Sequence, residues 1–159
     1  MDLEGIITRL IQHQVDFVIV GGFAAIAHGS TLMTQDIDVC CSFSLENLLA
    51  IQSALRDVNP VHRMTPKRLP LMLTEESCKG LKNLYLDTDL GQIDCLSSIT
   101  GVGDYSVVQT RSVEVDLIAG RCKVLALEAL IESKTALGRA KDTNVALQLK
   151  AIQERQQRP

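Results

Sequence analysis

The feature that most constrains this chain is a β-branched, aromatic-containing run, Val15 to Val20, that stops on Gly21-Gly22 and gives way to the small-residue stretch Phe23 to His28. A run of that composition ended by glycines predicts a strand, and the stretch after it predicts a short helix closed by Gly29. Strand, glycine turn, helix is the opening unit of an α/β chain.

The pattern recurs. Asp36 to Phe43 has the composition of a second strand, after which Ser44 caps a helix with Leu45, Leu48, Leu49, Ile51 and Leu55 on its inner side. Upstream, Leu3, Ile6, Ile7, Leu10 and Ile11 recur at helical spacing, so a first helix ends before Val15 and its apolar face covers a sheet. Leu84 to Asp87 and Gln92 to Leu96 flank the turn residues Thr88 to Gly91, which predicts a hairpin; Val113 to Leu117 and Cys122 to Leu125 predict another around Gly120. From Leu127 onward, Leu130, Ile131 and Leu137 form a helical stripe that Gly138 stops, and Asp142 is placed to cap a last helix holding Val145, Ala146, Leu149 and Ile152, with a frayed polar tail from Gln153. Pro60, Pro66 and Pro70 break regular structure across Asn59 to Pro70, the expected long loop, where His62, Arg63, Lys67 and Arg68 cluster.

A length of 159 residues suits one domain that buries roughly 70 % of its unfolded surface. No repeat or linker interrupts it, so the expected organisation is a single domain over 1–159, an α/β (α+β) mixed sheet flanked by helices, with a core of about 15–142 and C-terminal helices within 127–153. The five cysteines, Cys40, Cys41, Cys78, Cys95 and Cys122, are odd in number and lack C-x-x-C spacing, which argues against a disulfide framework or zinc ribbon and for reduced, buried thiols. Asp2 and Glu4 stand where a secretory leader carries positive charge, and the longest apolar run, Phe17 to Ala27, is about half a membrane span and contains two glycines. The expected location is cytoplasmic, with no membrane contact. Aromatics make up only 3 % with no Trp, leaving few platforms on which a nucleic-acid-binding module stacks bases. Charge is uneven: residues 1 to 119 hold 8 basic and 15 acidic groups, residues 120 to 159 hold 8 and 4, so a phosphate-binding surface draws on the C-terminal part.

Side chains alternate faces along a strand, so Asp36 and Asp38 point the same way while Ile37 points into the opposite side. Hard divalent cations such as Mg²⁺ take oxygen ligands at about 2.0 to 2.1 Å and are held by one or two carboxylates plus substrate phosphates. An Asp-x-Asp strand end supplies such ligands. Asp94, between Ile93 and Cys95 in another expected strand, joins them if that strand is adjacent in register. Three acids at one place repel one another without a cation. Gly21-Gly22 adds an independent element, because a glycine turn entering a helix lets backbone N–H groups approach a phosphate.

Each element alone is common; their order is not. The chain runs strand, Gly21-Gly22, short helix, then Thr34-Gln35-Asp36-Ile37-Asp38 about a dozen residues on, then an isolated Asp94. In this it resembles the nucleotidyltransferase fold superfamily (DNA polymerase β-like), whose signature is an apolar residue, Gly, then Gly or Ser, and later Asp-x-Asp. The run from Gly21 through His28-Gly29 with Thr34-x-Asp36-Ile37-Asp38, and the stretch Leu127-Glu128-Ala129-Leu130-Ile131 through Lys134, Arg139, Lys141 and Asp142, are similar to the AbiEii-type and minimal nucleotidyltransferases of toxin–antitoxin systems. The resemblance spans about Val15 to Asp142.

The resemblance implies that Asp36 and Asp38 ligate Mg²⁺ (or Mn²⁺) bridging the phosphates of an NTP such as ATP, and that Asp94 completes the metal site and helps activate the attacking hydroxyl. It implies in-line displacement with two ions about 3.5 to 4 Å apart if both sites fill. Gly21, Gly22 and Thr34 then lie by the nucleotide, and Lys134, Arg139 and Lys141 neutralise phosphate charge. The acceptor is a hydroxyl on RNA, protein or a small molecule, and an antitoxin or a second copy of the chain is the expected partner. His28 matches the family, yet a histidine ending a small-residue helix is more often a structural hydrogen-bonder. Two positions depart from the pattern. Leu32 stands where relatives commonly carry arginine, and Val145 where a closing Lys-Asp-x-x-Asp has its last acid. Both departures spare the three acids; the competing expectation is an inactive, partner-binding member.

Overall fold

The structure is a computed structural model describing all of Met1–Pro159. Helix α1 (Leu3–Gln12) is capped by Asp2, whose carboxylate accepts from the Gly5 N–H at 2.8 Å, and it buries Ile6, Ile7 and Leu10. Strand β1 (Phe17–Val20) is buried throughout and leads directly into α2 (Gly21–Ala27). The helix therefore begins at the glycine pair, two residues before the sequence pattern places it. Gly21 takes a φ of +64°, a conformation that costs an L side chain about 1–2 kcal/mol.

Strand β2 (Asp36–Cys41) follows, then α3 (Leu45–Leu55), capped as expected by Ser44, whose hydroxyl accepts from Asn47 N–H at 3.2 Å. A 3₁₀ turn, Arg56–Val58, extends that helix. The expected loop from Asn59 to Pro70 is partly structured. It contains β3 (Val61–His62), and His62 N–H donates to Leu69 O at 2.8 Å while Leu71 N–H donates to Pro60 O at 2.8 Å. Pro60 and Pro70 are tolerated because β3 is an edge strand, where the prolines need only accept.

A single turn, α4 (Glu75–Cys78), precedes β4 (Asn83–Thr88) and β5 (Gly91–Leu96), the first predicted hairpin. The sequence pattern assigns nothing to the segment between the two hairpins. The structure builds there a small sheet of β6 (Ser98–Ile99) and β7 (Gly103–Asp104), then α5 (Tyr105–Thr110), capped by Asp104. Strands β8 (Ser112–Leu117) and β9 (Gly120–Leu125) form the second hairpin, and α6 (Leu127–Leu137) and α7 (Ala140–Gln157) close the chain. Gly138 ends α6 at φ +66° as predicted. Asp142 is not the cap of α7: it lies inside the first turn, 1 % exposed, because Lys134 and Arg139 rather than backbone N–H groups engage its carboxylate. Nor is the tail frayed from Gln153; Ile152 packs against the core and the Gln, Glu and Arg residues after it are good helix formers.

The main sheet has seven strands in the order β3-β4-β5-β2-β1-β9-β8 and is mixed, with β2/β5 and β1/β9 parallel and the other pairs antiparallel. Helix α1 packs on α3 and reaches β5 and β9; α5 lies against β1, β2 and β9, and α2 against β2, β9 and α6. Ile19, Ile37 and Ile93, on the face opposite the aspartates, are fully buried. The expected mixed sheet flanked by helices is observed. All five cysteines are free and buried, and no helix is long and apolar enough to cross a membrane.

Candidate functional site

Register assembles the site. In β1/β2, Val20 pairs with Asp38; in β2/β5, Asp38 pairs with Asp94; in β5/β4, Asp94 pairs with Tyr85. Paired residues present their side chains on the same face, so one row across the sheet reads Val20, Asp38, Asp94, Tyr85. It continues to Arg63, whose N–H donates to Tyr85 O at 2.9 Å just beyond β3. Asp36, two residues from Asp38, lies on the same face, and carboxylate oxygens of Asp36, Asp38 and Asp94 all lie within 4.8 Å of one another.

Neighbours hold each acid in place. Thr34 Oγ1 donates to Asp36 Oδ1 at 3.0 Å, and the Gly22 N–H faces the Asp38 carboxylate and favours its charged form. The glycines are fixed by this packing. A Cβ on Gly21 would lie 2.0 Å from Asp38 Oδ2, and one on Gly22 would lie 2.7 Å from Thr34 Oγ1. Gly21→Ala therefore meets both backbone strain and a displaced carboxylate; it is expected to cost about 2 kcal/mol or more, read as a lowered midpoint in a urea melt.

Burial, followed by the charges of Asp36 and Asp94, pushes the Asp38 carboxyl up to about 6, against the opposing pull of Lys134 and the Gly22 N–H. Burial also raises Asp94, though the guanidinium of Arg63 pulls it down. For Asp38 the folded pKa lies above the unfolded value, so its proton stabilises the fold below the ordinary aspartate range, and that contribution is lost as pH rises through about 6. In cation-free buffer the melting temperature of the wild type minus that of Asp38→Asn should fall as pH rises from 4 to about 7, as a paired thermal-melt series will show.

Arg63 is bonded to Asp94 Oδ1 and its guanidinium carbon lies 5.7 Å from the centroid of the Tyr85 ring. On the other side of the trio, Asp142 binds Arg139 and, at 3.4 Å, Lys134 Nζ. Burial pushes the Asp142 carboxyl up, but its bonds to Arg139 and the charge of Lys134 outweigh this and hold it below the usual range. Lys141 is exposed and has no acidic partner in ion-pair distance.

Two openings meet at the carboxylates. One, about 440 Å³, is lined by Asn83, Tyr85, Ser98, Thr100 and Ser133; the other, about 500 Å³, by Leu32, Met33, Thr34, Lys141 and Asn144. Asp38, Asp94, Lys134 and Arg139 line both. A larger hollow between the end of α3 and residues 70–74 contains none of these groups.

Nine residues expected at the site lie in or beside this region: Asp36, Asp38 and Asp94 at its centre, Gly21, Gly22 and Thr34 against them, Lys134, Arg139 and Lys141 at its rim. His28 does not reach it, since its Nε2–H donates to Leu125 O at 2.7 Å. The Cys40 thiol is buried and pushed up to about 12 by burial and then by Asp104, which leaves no thiolate for nucleophilic chemistry. Sequence reasoning gave no role to Arg63 or Tyr85. Tyr85 had a signal, because a hairpin turning at Asp89-Leu90 sets it opposite Asp94; Arg63 showed only as one of a basic cluster.

No family model matches the chain, and no curated protein matches it in sequence. Among solved structures, the chain is similar to the aminoglycoside nucleotidyltransferase ANT(2″)-Ia in complex with adenylyl-2″-tobramycin, with a TM-score of 0.50 and 12 % identity over 92 % of this chain and 93 % of that one. At that identity the likeness is one of fold. A mixed seven-stranded sheet flanked by helices, in this arrangement, is the nucleotidyltransferase fold.

Proposed function

We propose that the chain is a metal-dependent nucleotidyltransferase that transfers a nucleoside monophosphate from an NTP to a hydroxyl acceptor. The observation that carries this reading is the convergence of Asp36, Asp38 and Asp94, from two strands, to within 4.8 Å on a nucleotidyltransferase fold. The donor set fits a hard divalent cation, Mg²⁺ or Mn²⁺: every ligand is a carboxylate oxygen, and the three lie within 4.8 Å of one another with no cation bonded to Asp36 or Asp38. Such a cation, when bound, supplies charge neutralisation at the phosphate oxygens.

The chain's own residues do the rest. Thr34 fixes the Asp36 carboxylate, and the Gly22 N–H favours the charged form of Asp38. Lys134, Arg139 and Lys141 offer positive charge along the opening lined by Thr34, which suits the triphosphate. The opening beside Tyr85, which lacks Lys141 and adds the hydroxyls of Ser98, Thr100 and Ser133, is left for the acceptor. There the acceptor oxygen forms its bond to the α-phosphorus, the bond from that phosphorus to the bridging oxygen breaks, pyrophosphate leaves, and Asp94 Oδ takes the hydroxyl proton. That the similar structure of ANT(2″)-Ia holds adenylyl-2″-tobramycin supports a reaction of this class. The resemblance to AbiEii-type and minimal nucleotidyltransferases extends the proposal to a toxin–antitoxin role, with an antitoxin or second copy as partner.

The test is a Mn²⁺ or Mg²⁺ titration with each NTP, followed by thermal shift in wild type and in the double variant Asp36→Asn/Asp38→Asn. A metal-dependent NTP shift that the double variant abolishes supports the reading. No shift in the wild type overturns it in favour of a non-catalytic, partner-binding protein.

A further inference from the structure

Arg63 is the one cation bonded directly to the carboxylate trio, and sequence position does not explain it. It enters from the far edge of the sheet, across β4, in line with Tyr85 and Asp94. Its guanidinium donates to Asp94 Oδ1 from a side chain only 24 % exposed.

The bond is incomplete in a telling way. Arg63 Nε is buried and has no hydrogen-bond partner, a state that costs about 1–3 kcal/mol. A bidentate fork on Asp94 would satisfy it, yet only one terminal nitrogen engages the carboxylate. The Tyr85 ring supports the guanidinium but accepts nothing from Nε. Arg63 is thus held at Asp94 by charge and short of its full set of bonds, while Asp36 and Asp38 have Thr34, the Gly22 N–H and no guanidinium.

Resting on the metal-dependent reading of the trio, we propose that Arg63 is a displaceable positioning residue. It holds the Asp94 carboxylate in the cleft before a divalent cation arrives and must release that carboxylate when one binds. Arg63 and the cation therefore compete for Asp94, and only for Asp94. Removing the guanidinium frees the third ligand, so cation affinity rises, and the rise depends on Asp94 being present. A residue that merely shaped the loop, or merely added positive charge nearby, has no such dependence.

The experiment is Mn²⁺ titration by calorimetry on the full chain without nucleotide, in wild type, Arg63→Met, Asp94→Asn and the double variant, each checked for folding by thermal melt. Arg63→Met should bind Mn²⁺ about tenfold more tightly than wild type, and the same change in the Asp94→Asn background should alter affinity by less than about twofold. Weaker or unchanged binding in Arg63→Met overturns the proposal, as does equal tightening in both backgrounds, which is the signature of general electrostatics. If Arg63→Met fails to fold, Arg63→Gln, which removes the charge but keeps a polar side chain at that place, should tighten binding by about threefold, and no change there is equally fatal. Absence of Mn²⁺ binding in all four chains defeats the metal reading itself, and is told apart from the other outcomes by the wild-type trace.

Discussion

Asp38→Asn is expected to lower pyrophosphate release from NTP by about a thousandfold while leaving the chain folded. Asp38 occupies the centre of the row, between Val20 and Asp94, and lines both openings that meet at the trio. Asparagine keeps an oxygen facing the Gly22 N–H and fits the space that Gly21 leaves, so the local packing survives. What goes is one negative charge from a group of three. The same substitution removes the cost of burying that charge and, after it, the repulsion by Asp36 and Asp94, which together raise the Asp38 carboxyl to about 6, a shift worth about 3 kcal/mol at most. The variant should therefore melt several degrees higher than the wild type at pH 7.5 without divalent cation. Loss of turnover together with gained stability identifies a carboxylate kept for chemistry; a variant that loses both marks a structural residue. Turnover measured by coupled pyrophosphate detection, alongside the melt, decides.

Asp142→Ala should have the largest effect on stability, about 3 kcal/mol, because it strands the Lys134 ammonium, whose side chain is only 14 % exposed. Arg139 is 58 % exposed and resolvates readily, so the cost falls on Lys134. For a chain of this length that loss lowers the melting temperature by about 6 to 12 °C. The sign with pH follows from the lowered pKa of Asp142. Its contribution is present at neutral pH and fades as pH falls through the acid range, so wild type and variant should converge in acid. A drop of only a degree or two at neutral pH would mean that Lys134 finds water when Asp142 is gone.

Much of this was legible in the sequence because it is local. The strand before Gly21, the cap at Ser44, the hairpins around residues 88–91 and 120, and the stop at Gly138 depend on neighbours within a few positions, where composition and turn chemistry decide. The same-face placement of Asp36 and Asp38 is a consequence of pleating alone. What was not legible is non-local. The parallel β2/β5 ladder that sets Asp94 beside Asp38 joins segments with an entire helix and hairpin strand between them, and periodicity carries no information about such a pairing. Arg63 sits in a proline-broken stretch whose short strand exists only because β4 is there to receive it. Asp142 misled because an acid near a helix start usually serves its own backbone; here two cations from α6 and the α6–α7 turn compete for it and win.

The order of the sheet has a kinetic consequence. Its centre is β5-β2-β1-β9, three junctions of which the two parallel ones join distant parts of the chain. The strands that meet there emerge early, midway and late, so a growing chain holds its first two aspartates long before the strand bearing the third, and the parallel seat for β9 is filled last. Closing loops of that size is slow, and during the wait β1, β2 and their buried faces are single-sided. The cleft is complete only when the acids on β2 and β5 and the cations carried after β9 are all in place, and amide protons on β2, paired on both sides, should exchange only when the sheet opens around them.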